Sequence, residues 1–318
     1  MNLSAALSAV RWLVWDTFRQ SMASGTFWLF LAVTALCVAF CLSVTFRDPV
    51  PTDDPESRLE TESGVRPLTR QSYLFGAVQK KSLHGREYHA RETLFMLGGL
   101  GAQTVGLLLA LTFTAALLPS FVDPNSALIL LAKPIPRWGI LLGKFLGVIM
   151  FLAVQVSIFV IGTWVAIGAV TGVWPVAYLV GTIPTLLLHY GIYFSFSAML
   201  AVTTRNTAAC VIGSILFWLL CWGMNLGRDA VIAYDMPEFS AASRLLSEVG
   251  YWTLPKPADL CAATWNNLHP EALSVHITDF ARVEEKGAFR PTLSMAASLA
   301  FAAVIVAVSG YELESADY

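Results

Sequence analysis

The sequence predicts an all-α polytopic membrane protein of about six transmembrane helices, on three observations. Of its 318 residues, 56% are hydrophobic and only 13% charged, against roughly 45–50% and 25% in a soluble domain. Several stretches of twenty or more residues carry no Asp, Glu, Lys or Arg. The basic residues of the short connections between those stretches all fall on one side. The composition suits one membrane domain over residues 1–318 rather than the two soluble domains that length alone suggests.

The chain opens with a lead, residues 3–18, in which Leu3, Leu7, Val10, Val14 and Phe18 share one helical face with Trp12 and Trp15 nearby. This pattern predicts an amphipathic helix lying on the cytoplasmic leaflet. Gln20 to Phe46 is then free of charge for 27 residues, which is longer than a signal-peptide core, so no removable leader is expected. The first span is read near 27–46.

Segment 47–92 carries eight basic and eight acidic residues and is read as a polar extracytoplasmic segment. At its end His84, Glu87, His89 and Glu92 gather metal-ligand types. Two His five apart do not share a helix face, and neither zinc-protease spacing is met. A solvated charged helix is the expectation, with no metal site.

Thr93 to Val122 is charge-free for 30 residues, and Phe145 to Thr204 for 60. The second of these runs suits two spans joined at Gly172-Val173-Trp174-Pro175, because Gly and Pro break helices. Asn206 to Gly227 and Pro291 to Tyr311 follow, with 22 and 21 residues. Spans two to six are therefore read near 97–121, 140–170, 176–202, 207–227 and 292–311. A second extracytoplasmic segment, 228–290, has six basic and nine acidic residues. Within it Phe239 to Leu254 spaces Ala242, Leu245, Leu246, Val249 and Trp252 as an interfacial amphipathic helix, ended by Leu254-Pro255-Lys256-Pro257.

Arg11 and Arg19 precede span one, Lys133, Arg137 and Lys144 lie between spans two and three, and Arg205 lies between spans four and five. The turn at 172–175 has no charge. The basic side is expected to be cytoplasmic, in a cell (inner) membrane, with both termini on it.

A net charge of −2 and the lack of a Lys/Arg cluster speak against nucleic acid. Cys37, Cys41, Cys210 and Cys221 lie in apolar runs and Cys261 in a polar one. None has a partner at metal or disulfide spacing, and all read as structural thiols. His189, with Pro184 nearby, is a possible intramembrane polar site; interhelical hydrogen bonding is the preferred reading. Gly143/Gly147, Gly168/Gly172 and Ala209/Gly213 are small-residue pairs that let helices approach, within the chain or between copies.

Between spans two and three the sequence is most informative. Asp123 suits an N-cap, Pro124 a first helical residue, and Pro134 stops the helix at Lys133. A helix of about ten residues and 15 Å results, too short to span and too apolar to stand free in water. The run Leu131-Ala-Lys133-Pro134-Ile-Pro-Arg137, followed by Leu141-Leu-Gly143-Lys144, resembles the signature of ABC-2 type transporter permeases. The large loop after span one, the close hairpin of spans three and four, and the polar segment before span six resemble that family's layout too. The family usually has Glu and a Gly-Thr pair where this chain has Asp123 and Ser126-Ala127.

The resemblance implies a permease subunit that pairs as a homodimer or heterodimer, contacts membrane lipids, and couples substrate export to a cytosolic ABC ATPase. It implies that segment 123–137 is the coupling element, with Asp123, Asn125, Leu128, Leu131, Lys133 and Arg137 facing the ATPase. Energy is expected from that separate chain, because Gly139-Ile-Leu-Leu-Gly143-Lys144 fails the phosphate-loop spacing. No catalytic residue or cofactor is expected. The rival readings are an intramembrane enzyme, which needs paired catalytic groups at membrane depth, and a non-transporting scaffold or channel.

Overall fold

Residues 3–47, 58–61, 64–67, 69–82, 85–114, 137–234, 240–268 and 278–315 are described by a computed structural model. The helices are α1 (Leu3–Ala23), α2 (Gly25–Ser43), α3 (Arg86–Leu94), a π-helical segment (Phe95–Gly106), α4 (Leu107–Thr114), α5 (Arg137–Thr171), α6 (Val176–Thr204), α7 (Thr207–Tyr234), α8 (Ala241–Thr253), α9 (Pro257–Leu268), α10 (Thr278–Glu285) and α11 (Pro291–Ser315). Six helical runs are long and apolar enough to cross a membrane: α2, the continuous run 86–114, α5, α6, α7 and α11. The protein is an all-α polytopic membrane protein, as the charge-free runs predict.

Two boundaries differ from the sequence reading for physical reasons, and one segment has structure the reading did not give it. The second run starts at Arg86, not near 97, because α3 buries His89, Ala90, Thr93 and Leu94. Segment 84–92 is thus not a solvated helix throughout. His89 Nδ1 lies 2.9 Å from Glu92 and Arg91 bonds Glu87, so the charges are paired locally; His84 lies outside the described residues. The fifth run continues to Tyr234, past 227, and carries Arg228 and Asp229 into a buried setting. Segment 47–92 also contributes β structure. Strands β1 (Thr45–Arg47), β4 (Thr69–Tyr73) and β5 (Val78–Ser82) form an antiparallel sheet in that order, beside a hairpin of β2 (Arg58–Thr61) and β3 (Gly64–Pro67). The Leu74 N–H donates to Ser43 Oγ at 3.2 Å and ties the sheet to the end of α2.

The turn at 172–175 forms as expected. Gly172 has φ +72°, a conformation in which a side chain is strained, and Trp174 folds back onto Trp164 at 4.8 Å between ring centroids. The helix predicted at Phe239–Leu254 is α8. Leu245, Leu246, Val249 and Trp252 are exposed along one face, an arrangement suited to a membrane interface; Phe239 lies outside the described residues.

Helix α5 is the mast of the bundle. Its 35 residues span about 52 Å, well beyond a hydrocarbon core of roughly 30 Å. It packs against α1, α2, α3, α6 and α11. The lead helix α1 does not simply rest on a leaflet. Leu13, Thr17 and Ser21 are buried, and Leu13 and Thr17 pack on Gly143 and Gly147 of α5. Trp12 and Trp15 stay exposed. The Lys144 ammonium donates to Gln20 Oε1 of α1 at 3.4 Å. Two other glycines of the small-residue pairs are also occupied within the chain. Gly168 meets Trp174, and Gly213 meets Leu200 of α6. The core between α6, α7 and α11 is a stack of Phe196, Phe217 and Phe301, with centroids 3.9 and 5.6 Å apart.

A Cβ on Gly147 would lie 2.6 Å from Thr17 Cβ and 3.0 Å from the Val14 carbonyl oxygen. The Gly147→Ile substitution is therefore expected to lift α1 from α5, at a cost of about 1–3 kcal/mol. A Leu13→Cys/Gly143→Cys pair, with the native cysteines replaced, reports the docking. The cross-link should form readily in an otherwise unchanged chain and fail when Gly147→Ile is added. An undiminished cross-link would show that α1 does not need this groove.

Candidate functional site

Of the six residues that the resemblance assigns to ATPase coupling, Asp123, Asn125, Leu128, Leu131 and Lys133 lie outside the described residues. Arg137 is the first residue of α5, and its guanidinium donates to the Leu313 and Glu314 carbonyls of α11 at 3.4 and 3.3 Å. It therefore satisfies carbonyls in the last turn of α11, which have no partner within the helix. The chain entering α5 is tied at that residue to the final helix.

His189 is fully buried on α6. Its partners define a directional chain across three elements. The Thr264 hydroxyl of α9 donates to the Leu260 carbonyl at 3.1 Å. It therefore accepts from Gln103 Nε2 of the π segment, at 2.7 Å. Gln103 Oε1 is left to accept from His189 Nδ1–H at 3.3 Å. His189 thus acts as an interhelical link, and its Nε2 has no partner among the described residues. Two tyrosines of α6 hold the same π segment. Tyr190 donates to the Ala102 carbonyl at 3.1 Å, and Tyr178 fills the space beside Gly98 while its hydroxyl lies 3.0 Å from Thr163 of α5.

The second polar cluster closes the end of the bundle that carries the long loops. Helix α9 is twelve residues long, and Asp259, Leu260, Cys261, Thr264, Trp265 and Leu268 are among its buried residues. Trp265 packs edge-on to Phe95 of the π segment at 4.8 Å. A helix N-terminus buried this way must find acceptors for its free N–H groups. Pro257 removes one of them. Asn225 of α7 accepts the next two through Oδ1, from Ala258 at 3.0 Å and Asp259 at 3.4 Å. Asn225 Nδ2 donates to Asp259 Oδ1 at 3.0 Å and Asp229 Oδ2 at 3.3 Å.

Asp259 Oδ2 accepts from the Tyr251 hydroxyl of α8 at 2.5 Å and from the Ser294 hydroxyl of α11 at 2.6 Å. One carboxylate therefore joins α7, α8, α9 and α11. Arg228 stacks over the Tyr251 ring at 3.9 Å and donates to Glu248 at 3.0 Å. Burial pushes the Lys256 ammonium down to about 8, with Asp259 opposing that shift and Arg228 adding to it. Burial, followed by the Asp259 charge, pushes the Tyr251 phenol up.

Sequence reasoning placed segment 228–290 outside the membrane and so missed this cluster. Asn225 and Gln103, uncharged polar residues inside otherwise apolar runs, were the available signal. Among the described residues no group of three or more His, Cys, Asp or Glu is placed to hold a metal ion.

Six spanning runs, amphipathic flanking helices and polar links between helices define a multi-pass membrane protein. A family model described as ABC-2 family transporter protein matches residues 11–268, and the chain belongs to that family. No curated protein matches the chain. The match runs from α1 through α9, and so takes in segment 123–137, the His189 links and all of the Asp259 cluster except Ser294.

Replacing Asp259 by Ala would strand a buried hydroxyl on Tyr251 and another on Ser294, and leave the Asn225 amide only its 3.3 Å bond to Asp229. A loss of roughly 3–5 kcal/mol is expected, against about 1 kcal/mol for Ser294→Ala, read as unfolding temperature in detergent. Equal effects would refute the hub role.

The Lys256 shift has a sign that can be tested. Its ordinary pKa is 10.5 and its folded pKa is about 8. Between those values the unfolded chain binds more protons, so stability rises with pH. Below 8 the contribution is constant; above 9 the Cys261 thiol, which burial pushes up to about 12, and above 10 the raised Tyr251 pKa oppose it. The change in unfolding temperature between pH 8 and 10 should be more positive in the unaltered chain than in Lys256→Met; equal changes in the two would refute the Lys256 assignment.

Proposed function

We propose that the chain is the permease subunit of an ABC exporter, working as a pair and driven by ATP hydrolysed on a separate cytosolic ATPase. Family membership carries the class of the reading, and the sequence of segment 123–137 carries the coupling. The reading is further supported by where that segment leads. It runs directly into α5, and α5 touches α1, α2, α3, α6 and α11. A push on a short helix N-terminal to Arg137 would therefore reach most of the spans through one rigid rod.

Leu128 and Leu131 supply the docking face of the segment. Burying one such side chain is worth roughly 1.5–3 kcal/mol. Lys133 supplies a cation for an acidic surface on the ATPase. Arg137 has a second task in this reading, since it also caps α11. Both termini and the coupling segment are cytoplasmic, as the Arg11, Arg19, Lys133, Arg137 and Arg205 positions require. Pairing of two permeases rests on the family alone, because Gly143, Gly147, Gly168 and Gly213 are consumed within one chain.

Leu131→Asp and Lys133→Glu are expected to abolish or strongly weaken ATPase co-purification while leaving insertion and unfolding temperature unchanged. Arg137→Glu should do more, lowering stability as well through the end of α11. If Leu131→Asp and Lys133→Glu both retain full ATPase binding, the coupling assignment fails; weakened attachment to anionic lipid alone would make the segment a plain interfacial connector. A periplasm-active reporter fused at residue 60 should be active, and one at the C-terminus inactive. The opposite pattern would invert the topology.

A further inference from the structure

Helix α2 leaves a gap beside the second spanning run. It packs along α5 and meets α4 where Phe30 and Phe113 stand edge to face, 6.2 Å between ring centroids. Toward the π segment the space stays open, because Gly101 and Gly106 have no side chain to fill it and Ala102 has only a methyl. A cavity of about 190 Å³ results, bounded by α2, the π segment, α4, α5 and α6. A π-helix, with its i→i+5 bonds, is rare and recurs at functional sites.

The wall of this cavity carries an unused acceptor. Gln155 of α5 lines it and is 5% exposed. Its Nε2 donates to the Phe27 carbonyl of α2 at 3.4 Å. A carbonyl oxygen can only accept, so the free end of the amide is Oε1, which has no partner among the described residues. An acceptor left unpaired inside a membrane is costly. The other polar side chains on the wall are Thr34, Cys37 and Tyr190, and the Tyr190 hydroxyl is already given to the Ala102 carbonyl. Water held in a cavity needs several polar partners. This wall is better suited to an apolar body that brings one donor of its own.

Val105 stands at the edge of the cavity and is 62% exposed. It lies well inside the spanning run 86–114, so the opening beside it faces the bilayer. An apolar cavity of about 150 Å³ takes up benzene, and this one is of similar size. We propose that it is a binding site for a membrane-dissolved, uncharged molecule with an apolar body of roughly ring size and one hydroxyl or N–H group. Such a molecule enters sideways past Val105 and donates its hydrogen bond to Gln155 Oε1. No Asp, Glu, Lys or Arg lines the cavity, which excludes an ion as its occupant. The site rests on the cavity and on Gln155, and does not require the permease reading.

The chain in phosphatidylcholine vesicles is irradiated with a diazirine derivative of benzyl alcohol, or with the matched diazirine that lacks the hydroxyl, and labelled peptides are mapped by mass spectrometry. The alcohol should label the peptides that hold residues 97–110 and 152–159, and the labelling should saturate. Unlabelled benzyl alcohol should compete there better than ethylbenzene by roughly fivefold, the worth of one hydrogen bond. Gln155→Met should remove that preference, and Val105→Trp, at the exposed mouth, should reduce labelling by both probes severalfold. Labelling that does not saturate, or that ignores the hydroxyl in the unaltered chain, would overturn the site. An unchanged preference in Gln155→Met, or undiminished labelling in Val105→Trp, would also overturn it. All these results leave the permease reading standing. A second arm, once binding is seen, separates two sources of the same chemistry. If benzyl alcohol also stimulates ATP hydrolysis by the co-purifying ATPase, and Gln155→Met removes the stimulation, the site takes cargo. Binding with unchanged ATP hydrolysis supports a site for a constituent of the bilayer.

Discussion

A helix can enter the interior of a membrane bundle only if the N–H groups at its start find acceptors. In this protein Asn225 meets that demand. Its Oδ1 caps α9 from a neighbouring helix, and its amide holds Asp259, which in turn gathers Tyr251 and Ser294. Without that arrangement α9 would remain at the surface, and its buried residues Leu260, Trp265 and Leu268 would lose their packing. The π segment would also lose Thr264 as the partner of Gln103, and with it the link to His189. The two polar clusters are thus consecutive, joined by the length of one short helix.

What could be read from the sequence follows from which physical signal was strong. Absence of charge over twenty residues has few explanations other than a membrane span, and each predicted span is found. Boundaries were less legible, because a charged residue at a span's end is ambiguous until its partners are known. Arg228 and Asp229 read as the start of a loop, yet they continue α7 because Glu248, Tyr251 and Asn225 receive them. His89 and Glu92 read as solvated and are instead a paired turn of the second span. The fate of α9 was illegible for a related reason. Its helical pattern is short, and its burial depends on Asn225, which stands more than thirty residues earlier in the sequence.

The small-residue pairs show the same limit from another side. Spacing alone announced close approach and was silent about the partner. Gly143 and Gly147 receive α1, whose predicted membrane-facing stripe overlapped only partly with the face it buries. Leu13, Thr17 and Ser21 repeat every fourth residue, and two of the three are polar, so a hydrophobicity count points away from them. Their hydroxyls bond to carbonyls within α1, which makes them small and inert enough to seat on a glycine groove. Before α5 the resemblance names Arg137 as a docking residue, and the fold also gives it the end of α11 to hold. One side chain then joins the entry of α5 to the exit of the bundle.

The contrast between polar and apolar contacts bears on where such a bundle is held most firmly. The Asn225–Asp259 cluster is densely paired, so pulling α7, α8, α9 and α11 apart there would expose several buried groups at once. Across α6, α7 and α11 the contacts are apolar instead: Gly213 abuts Leu200, and Phe217 lies between Phe196 and Phe301. Apolar faces can slide or part without stranding a donor or an acceptor, whereas the Asn225–Asp259 cluster fixes both distance and direction. The same helices α7 and α11 are thus clamped by hydrogen bonds at one end and packed by rings along their length.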